Sequence, residues 1–282
     1  MGKKYEQTVL PNESTTAGKL LQFVGYNKKV LEIGCASGVQ SQLLKENFGC
    51  QITGIELDPE AAEKAGIYCD RIIHGDVENL NLKEILGGAQ YDVILMADVL
   101  EHLKNPANVL LNIKSFFSEN AYAVISVPNI VHAAVVYKMT HGCFSYTDYG
   151  LLDDGHIRFF TKSGIKDLLT KSGYKLDEMR STICHPLETE INIELKTTED
   201  KEAMTYLILN NDESLIYQFI IKARPNGNIR NETIIFENKL DIEQTTSLRN
   251  RVLKEIKAHG PYFHAKRYLN SRADRRSNTI TR

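Results

Sequence analysis

Three acids, Glu32, Glu56 and Asp76, and three histidines, His102, His132 and His156, are the residues of this chain whose types and spacing could do chemistry. Glu32 stands two positions before the first glycine of Val30-Leu-Glu-Ile-Gly-Cys-Ala-Ser-Gly38, an apolar strand that runs through a glycine-rich turn into a helix. A dinucleotide fingerprint, G-x-G-x-x-G, would turn backbone N–H groups at a helix N-terminus toward a pyrophosphate. With glycines at 34 and 38 the spacing fails that test. A carboxylate on the strand's C-terminal lip suits instead a ligand carrying an ammonium group and a neighbouring cationic centre. Glu56 ends a second short strand, Gln51-Ile-Thr-Gly-Ile-Glu56, about twenty residues further on, where α/β folds place the acid that holds a ribose diol. Asp58 precedes Pro59 and a good helix-forming run, so it reads as an N-cap.

Four segments in order resemble the class I S-adenosylmethionine (SAM)-dependent methyltransferases. Val30–Gly38 resembles motif I, E/D-x-G-x-G-x-G, with Ala36 in place of the middle glycine; Gln51–Asp58 matches the second strand and its acid. Arg71-Ile-Ile-His-Gly-Asp76 resembles the third strand and its G-D pair. Tyr91 through Pro106 is similar to the fourth-strand signature D-V-L-E-H-L-x-N-P. Tyr149-Gly-Leu-Leu-Asp-Asp-Gly-His-Ile-Arg-Phe-Phe-Thr161, Val127-Pro-Asn129 and an N-terminal tyrosine, Tyr5, with the polar run Asn12–Thr16, resemble one branch, associated with bacterial surface glycans. The resemblance spans about residues 5–225. It implies SAM as cofactor and S-adenosylhomocysteine as product. It also implies Glu32 toward the ammonium end, Glu56 on the ribose, and Asp76 and Val77 beside the adenine. By the same resemblance Tyr5, Gly34, Gly38, Leu57 and Ala97 are expected to complete the cofactor site, and Asn129 and Arg158 to face the acceptor.

Methyl transfer from a sulfonium is an in-line displacement, so the protein must align acceptor and methyl group and remove a proton from a hydroxyl or amine. A histidine suits the second task, because its ordinary pKa of about 6.5 leaves it partly neutral near physiological pH. His102, His132 and His156 all fall in segments expected to line the mouth, and the sequence does not decide among them. Each is as readily a hydrogen-bonded structural residue. Arg158 could bind a phosphate or carboxylate of the acceptor, or pair with Asp153 or Asp154 to order its loop. Asp98 and His102, four apart, would share a helix face and with Asp153, Asp154 or His156 could hold a divalent ion. Without a paired metal-ligand motif, and with Asp98 equally suited to capping a helix, no resident metal is expected, and activity should survive EDTA.

Apolar strands that alternate with helical patterns position these residues, as a Rossmann-like, doubly wound and mostly parallel sheet requires. Strands are expected near 29–33, 51–56, 71–73, 91–96 and 121–127, with Lys175–Ser181 and Leu215–Ala223 making seven, the last antiparallel as the resemblance implies. Residues 1–225 read as the methyltransferase domain, with an acceptor-binding insertion over about 128–160. Residues 226–282 read as a basic extension: a strand pair over Ile229–Leu240, a helix near Thr245–Ala258, and a solvated, partly disordered end with Lys266-Arg267 and Arg272-Ala-Asp-Arg-Arg276. That tail is a candidate contact for a glycosyltransferase or an anionic surface. A net charge of −2 offers nucleic acid no global attraction. Five scattered cysteines without a C-x-x-C pair suit a reducing compartment. No apolar run approaches the roughly 20 residues of a membrane span, so a cytoplasmic protein is expected. Together these point to O-methylation of a sugar or sugar nucleotide in surface-polysaccharide biosynthesis. Two rivals are a small-molecule O- or N-methyltransferase resembling the ubiquinone-biosynthesis enzymes and a noncatalytic SAM-binding scaffold subunit.

Overall fold

The computed structural model describes residues 11–226 and 242–258. Seven strands, β1 (Lys29–Ile33), β2 (Gln51–Glu56), β3 (Arg71–His74), β4 (Tyr91–Ala97), β5 (Phe117–Pro128), β6 (Tyr174–Ile183) and β7 (Ile216–Pro225), form one sheet in the order β3-β2-β1-β4-β5-β7-β6. β1 pairs in parallel with β2 and β4, β2 with β3, and β4 with β5, whereas β7 runs antiparallel to β5. Val30, Leu31, Val93, Ile94, Leu95, Val124 and Ile125 are all at 0% exposure, the both-faces burial that near-continuous apolar runs give a parallel sheet. All seven expected strands are present, and the strand order reverses beside β1, where such folds bind ligands at the strands' carboxyl ends.

The helices are α1 (Thr16–Val24), α2 (Val39–Phe48), α3 (Pro59–Ala65), α4 (Leu82–Leu86), α5 (Pro106–Asn112), α6 (Ala133–Thr140), α7 (Lys162–Lys171), α8 (Thr198–Asn210) and α9 (Ile242–Ala258). Their starts follow local chemistry. Asp58 accepts the Ala61 N–H at 2.7 Å with Pro59 in the first turn, and Thr161 accepts the Gly164 N–H at 3.0 Å. Asp98 does not cap a helix: it adopts a left-handed backbone (φ 55°), and only a single 3₁₀ turn, Leu100–His102, follows it.

Contacts divide the chain differently from the boundary expected at 225. One compact unit takes the described residues through Pro128, His156–Thr182 and those from Gln218 to 226. It contains the sheet's parallel core. The other takes Asn129–Gly155, Ile183–Tyr217 and α9. It has its own core, with Ala134, Val135, Leu151, Leu152, Ile191, Met204, Ile208, Val252 and Ile256 buried together. The central part of the expected insertion and the helix of the expected extension therefore belong to one packed body, because α6 and α9 both pack against α8. The expected strand pair over 229–240 and the basic run after 258 lie outside the described residues, as does Tyr5.

Candidate active site

On the cofactor side, β1 delivers Glu32 to the base of the glycine-rich turn. The side chain is 2% exposed and accepts a hydrogen bond from Ser41 Oγ on α2 at 2.5 Å. Burial pushes its carboxyl up to about 8, the Ser41 bond offsetting only part of that effect. Ala36 takes a left-handed backbone (φ 47°), so the turn has the shape a middle glycine would give it despite the cost to an L-residue. Gly38 has φ 82°, and a Cβ there would lie 2.8 Å from the Ala65 Cα of α3. Only glycine fits that approach. Glu56, half-buried at the end of β2, accepts the Ala36 N–H at 2.8 Å on one oxygen and the Asp58 N–H at 2.9 Å on the other. A carboxylate has about four lone-pair sites, so two hydroxyls can still be received. Asp76 closes its own turn through the Glu78 N–H at 2.9 Å and Asn79 Nδ2 at 2.7 Å, while Val77 is 9% exposed and Leu57 is 65% exposed. Gly34 follows β1, and Ala97 ends β4.

The C-terminal ends of β4 and β5 and the N-terminal start of the antiparallel β7 carry a polar network. Asp98 accepts from Ser126 Oγ at 2.7 Å and, on both oxygens, from Gln218 Nε2 at 2.9 Å. Gln218 in turn accepts a hydrogen bond from Thr16 Oγ1 of α1. Water reaches the Asp98 side chain, but the protein packed around it raises the carboxyl above its ordinary value. The nearby charges of His156 and His102 act the other way.

Beside this network the 3₁₀ turn brings Glu101 and His102 together with His156. The two imidazole rings meet edge to face with centroids 4.8 Å apart. Glu101 is 1% exposed and His156 6%, whereas His102 is exposed. The backbone explains the proximity: the Glu101 carbonyl accepts the N–H groups of both Ile157 and Arg158 at 3.0 Å. Arg158 is exposed, and its guanidinium donates to the Lys104 carbonyl rather than pairing with Asp153 or Asp154 among the described ion pairs. The structure thus joins His102, His156 and Arg158, and adds Glu101, Gln218, Ser126 and Thr16, none of which the sequence singled out for chemistry. Glu101 carried a signal as the acid of the D-V-L-E-H-L run, and Thr16 as the end of the polar run Asn12–Thr16.

Two expected acceptor residues are corrected. His132 is fully buried as the N-cap of α6, where Nδ1 accepts the Ala134 N–H at 3.3 Å and Nε2 donates to the Cys184 carbonyl at 3.1 Å. Both ring nitrogens are committed to backbone, so it is not placed to take a substrate proton. Asn129 is also fully buried, donating to the Glu213 and Ile216 carbonyls at 2.9 Å and accepting from the Val131 N–H at 3.2 Å. Its amide anchors the start of a loop. Desolvation lowers the His132 pKa to about 4, whereas an unfolded imidazole protonates near 6.5. Below about 6.5 the unfolded chain therefore gains a proton that the folded chain refuses. Stability should fall as pH drops from about 6.5 toward 4, by as much as about 3 kcal/mol from this residue. Urea melts across that range should show a shallower acid slope for His132→Gln than for the wild type; equal slopes would contradict the assignment.

Set against known proteins, residues 13–179 match the model of the methyltransferase domain family, and the chain belongs to that family. Its fold is the Rossmann-like α/β fold of the SAM-dependent methyltransferases. The ubiquinone biosynthesis O-methyltransferase of Rickettsia felis is 22% identical over 163 residues, covering 57% of this chain and 66% of that protein, just under two thirds of its length. A SAM-dependent methyltransferase of Archaeoglobus fulgidus superposes with a TM-score of 0.51 at 16% identity, over 73% of this chain and 89% of that one. The magnesium protoporphyrin IX methyltransferase of Synechocystis PCC 6803, solved with S-adenosylhomocysteine bound, gives a TM-score of 0.50 at 15% identity, over 76% and 84% of the two chains. Among the described residues, no helix is long and apolar enough to cross a membrane.

Proposed function

We propose that the protein transfers the methyl group of SAM to a hydroxyl of a small acceptor, a sugar or sugar-containing intermediate of bacterial surface-glycan assembly. The observation that carries the methyl-transfer reading is the pair of carboxylates at the ends of adjacent strands, Glu32 buried under the glycine-rich turn and Glu56 fixed at its lip by two backbone N–H groups. Glu32 meets the ammonium end of SAM, Glu56 the ribose diol, and Asp76 with Val77 the adenine. The acceptor reading is supported by the polar character of Asp98, Ser126, Gln218, His102 and His156, with Phe159 37% exposed in the same segment as a surface for a sugar ring. A polyol can add hydrogen bonds to such groups, which a purely apolar acceptor cannot. Arg158 suits a phosphate on the acceptor once its guanidinium turns from the Lys104 carbonyl.

The relatives named ubiquinone biosynthesis O-methyltransferases favour a second reading, a small-molecule O-methyltransferase of that kind. A screen that supplies SAM with sugar nucleotides, free glycosides and hydroxylated aromatic rings, and detects S-adenosylhomocysteine, separates the two. Turnover on sugar nucleotides or glycosides is expected. Turnover confined to the aromatic acceptors would replace the glycan reading, and SAM binding without turnover on any class would favour the scaffold role.

A further inference from the structure

We propose that Cys35 and Cys69 form an oxidisable dithiol beneath the glycine-rich turn, a site that a peroxide closes to a disulfide and that thereby controls SAM binding. Gly54, in the middle of β2, explains how the two sulfurs meet. A Cβ there would lie 2.8 Å from Cys35 Sγ and 2.9 Å from Cys69 Sγ, so both thiols occupy the space that the missing side chain leaves. A glycine inside a strand weakens it and marks a close approach of this kind. Cys35 comes from the turn after β1 and Cys69 from the segment leading into β3, and both are buried with Leu43 and Leu44 of α2. Gly34 and Ala36, on either side of Cys35, are exposed, so the turn is the route by which a small oxidant arrives. The two thiols are chemically unlike. A proton kept on Cys35 serves a Cys69 thiolate, which holds the Cys69 pKa below its ordinary value against the opposing effect of burial and pushes that of Cys35 up. That is the division between an attacking sulfur and a resolving one.

The Cys69 thiolate attacks one oxygen of the peroxide, the O–O bond breaks, and a sulfenic acid and hydroxide form. The Cys35 sulfur then attacks the sulfenic sulfur, the S–O bond breaks, and that oxygen leaves with the Cys35 proton as water. The hydroxide takes up the proton Cys69 had released. Two thiols and one hydrogen peroxide thus give one disulfide and two waters, the sulfurs oxidised by two electrons and the peroxide reduced by two. Both cysteines are free thiols here, so closing an S–S bond of about 2.05 Å draws their two segments together. Cys35 belongs to the frame of the turn: its carbonyl accepts the Gly38 N–H at 2.9 Å and its N–H donates to the Ile55 carbonyl at 3.3 Å. Ala36, next to it, is one of the two N–H groups that fix Glu56. Cys69 Sγ donates to Ser41 Oγ at 3.4 Å, the hydroxyl that binds Glu32. The disulfide therefore disturbs the supports of both carboxylates. Its effect on SAM rests on the proposed cofactor geometry; its formation does not.

The test treats the full chain, reduced and free of SAM, with hydrogen peroxide, then alkylates it, digests it without reductant and maps the peptides by mass spectrometry. A Cys35–Cys69 peptide pair lighter by two hydrogens is expected, and dithiothreitol should remove it. SAM affinity by calorimetry should fall at least about fivefold on oxidation, the low end of coupling between sites, and recover on reduction. By linkage, SAM present during the treatment should disfavour the disulfide by the same factor. Cys35→Ala and Cys69→Ala should each lose both the cross-link and the peroxide effect. Cys50→Ala empties a third buried thiol of the same core, one that donates to the Gly25 carbonyl at 3.4 Å, and should keep both, which separates loss of the dithiol from loss of packing. Cys143 is exposed and reports that oxidant reached the chain. Oxidised Cys143 with Cys35 and Cys69 still open to alkylation would overturn the site, and a disulfide that leaves SAM affinity unchanged would overturn its control of binding. A disulfide in a chain whose reduced form binds no SAM supports the dithiol and rejects the cofactor reading alone.

Discussion

Glu56→Ala is expected to weaken SAM binding by about 10²-fold or more while leaving a folded protein. Two hydrogen bonds to a charged group are at stake, each about 1.5–3 kcal/mol, and about 1.4 kcal/mol is tenfold in affinity. Glu32→Ala should fail comparably, and unchanged calorimetric affinity in both variants would remove the proposed cofactor geometry. Glu32 adds a proton signature. Its carboxyl, pushed up to about 8 by burial, is mostly protonated at pH 7 in the SAM-free protein. An ammonium group beside it favours the ionised form, so binding at pH 7 should release close to one proton, and less as the pH rises past 8. Calorimetry in buffers of different ionisation enthalpy reads that proton directly, and Glu32→Gln should abolish it.

His156→Ala is expected to spare SAM affinity and lower kcat by about 10²–10⁴-fold, the span associated with losing the group that handles a substrate proton. Arg158→Ala should act differently. An arginine that binds the acceptor equally in ground and transition states appears in KM, with kcat nearly intact. Wild-type kinetics in both variants would reduce Gly155–Arg158 to a structural loop and return the proton chemistry to His102.

The parallel sheet was legible because its strands are short apolar runs bounded by glycines, prolines and acids, a signal that survives without knowledge of partners. Asp58 and Thr161 were legible as caps for a related reason: their hydrogen bonds lie within three residues. The polar network was not. Gln218 reads locally as an ordinary polar residue of a strand, and its partner Asp98 is 120 positions away. Glu101 reads as a charged helical residue, and its burial beside His156 depends on backbone bonds from a distant segment. His132 misled in the opposite sense, since a histidine just after a strand end has the same local signature whether it faces a substrate or caps a helix. α8 was missed despite an available signal, the capping box of Thr197 and Asp200 ahead of an apolar-containing run.

The unit built from Asn129–Gly155, Ile183–Tyr217 and α9 also has a temporal meaning. Its three segments are separated in the chain by pieces of the sheet, so its core has high contact order, and the loops that join it must be closed before its contacts are gained. During synthesis the face that α9 covers stays open until α9 has emerged, when Val252, at 0% exposure, and Ile256, at 4%, reach their neighbours. Until then the apolar side chains of that face are open to chaperones and to aggregation. A chain cut after residue 225 would keep every strand of the sheet and still lack the last wall of this second core.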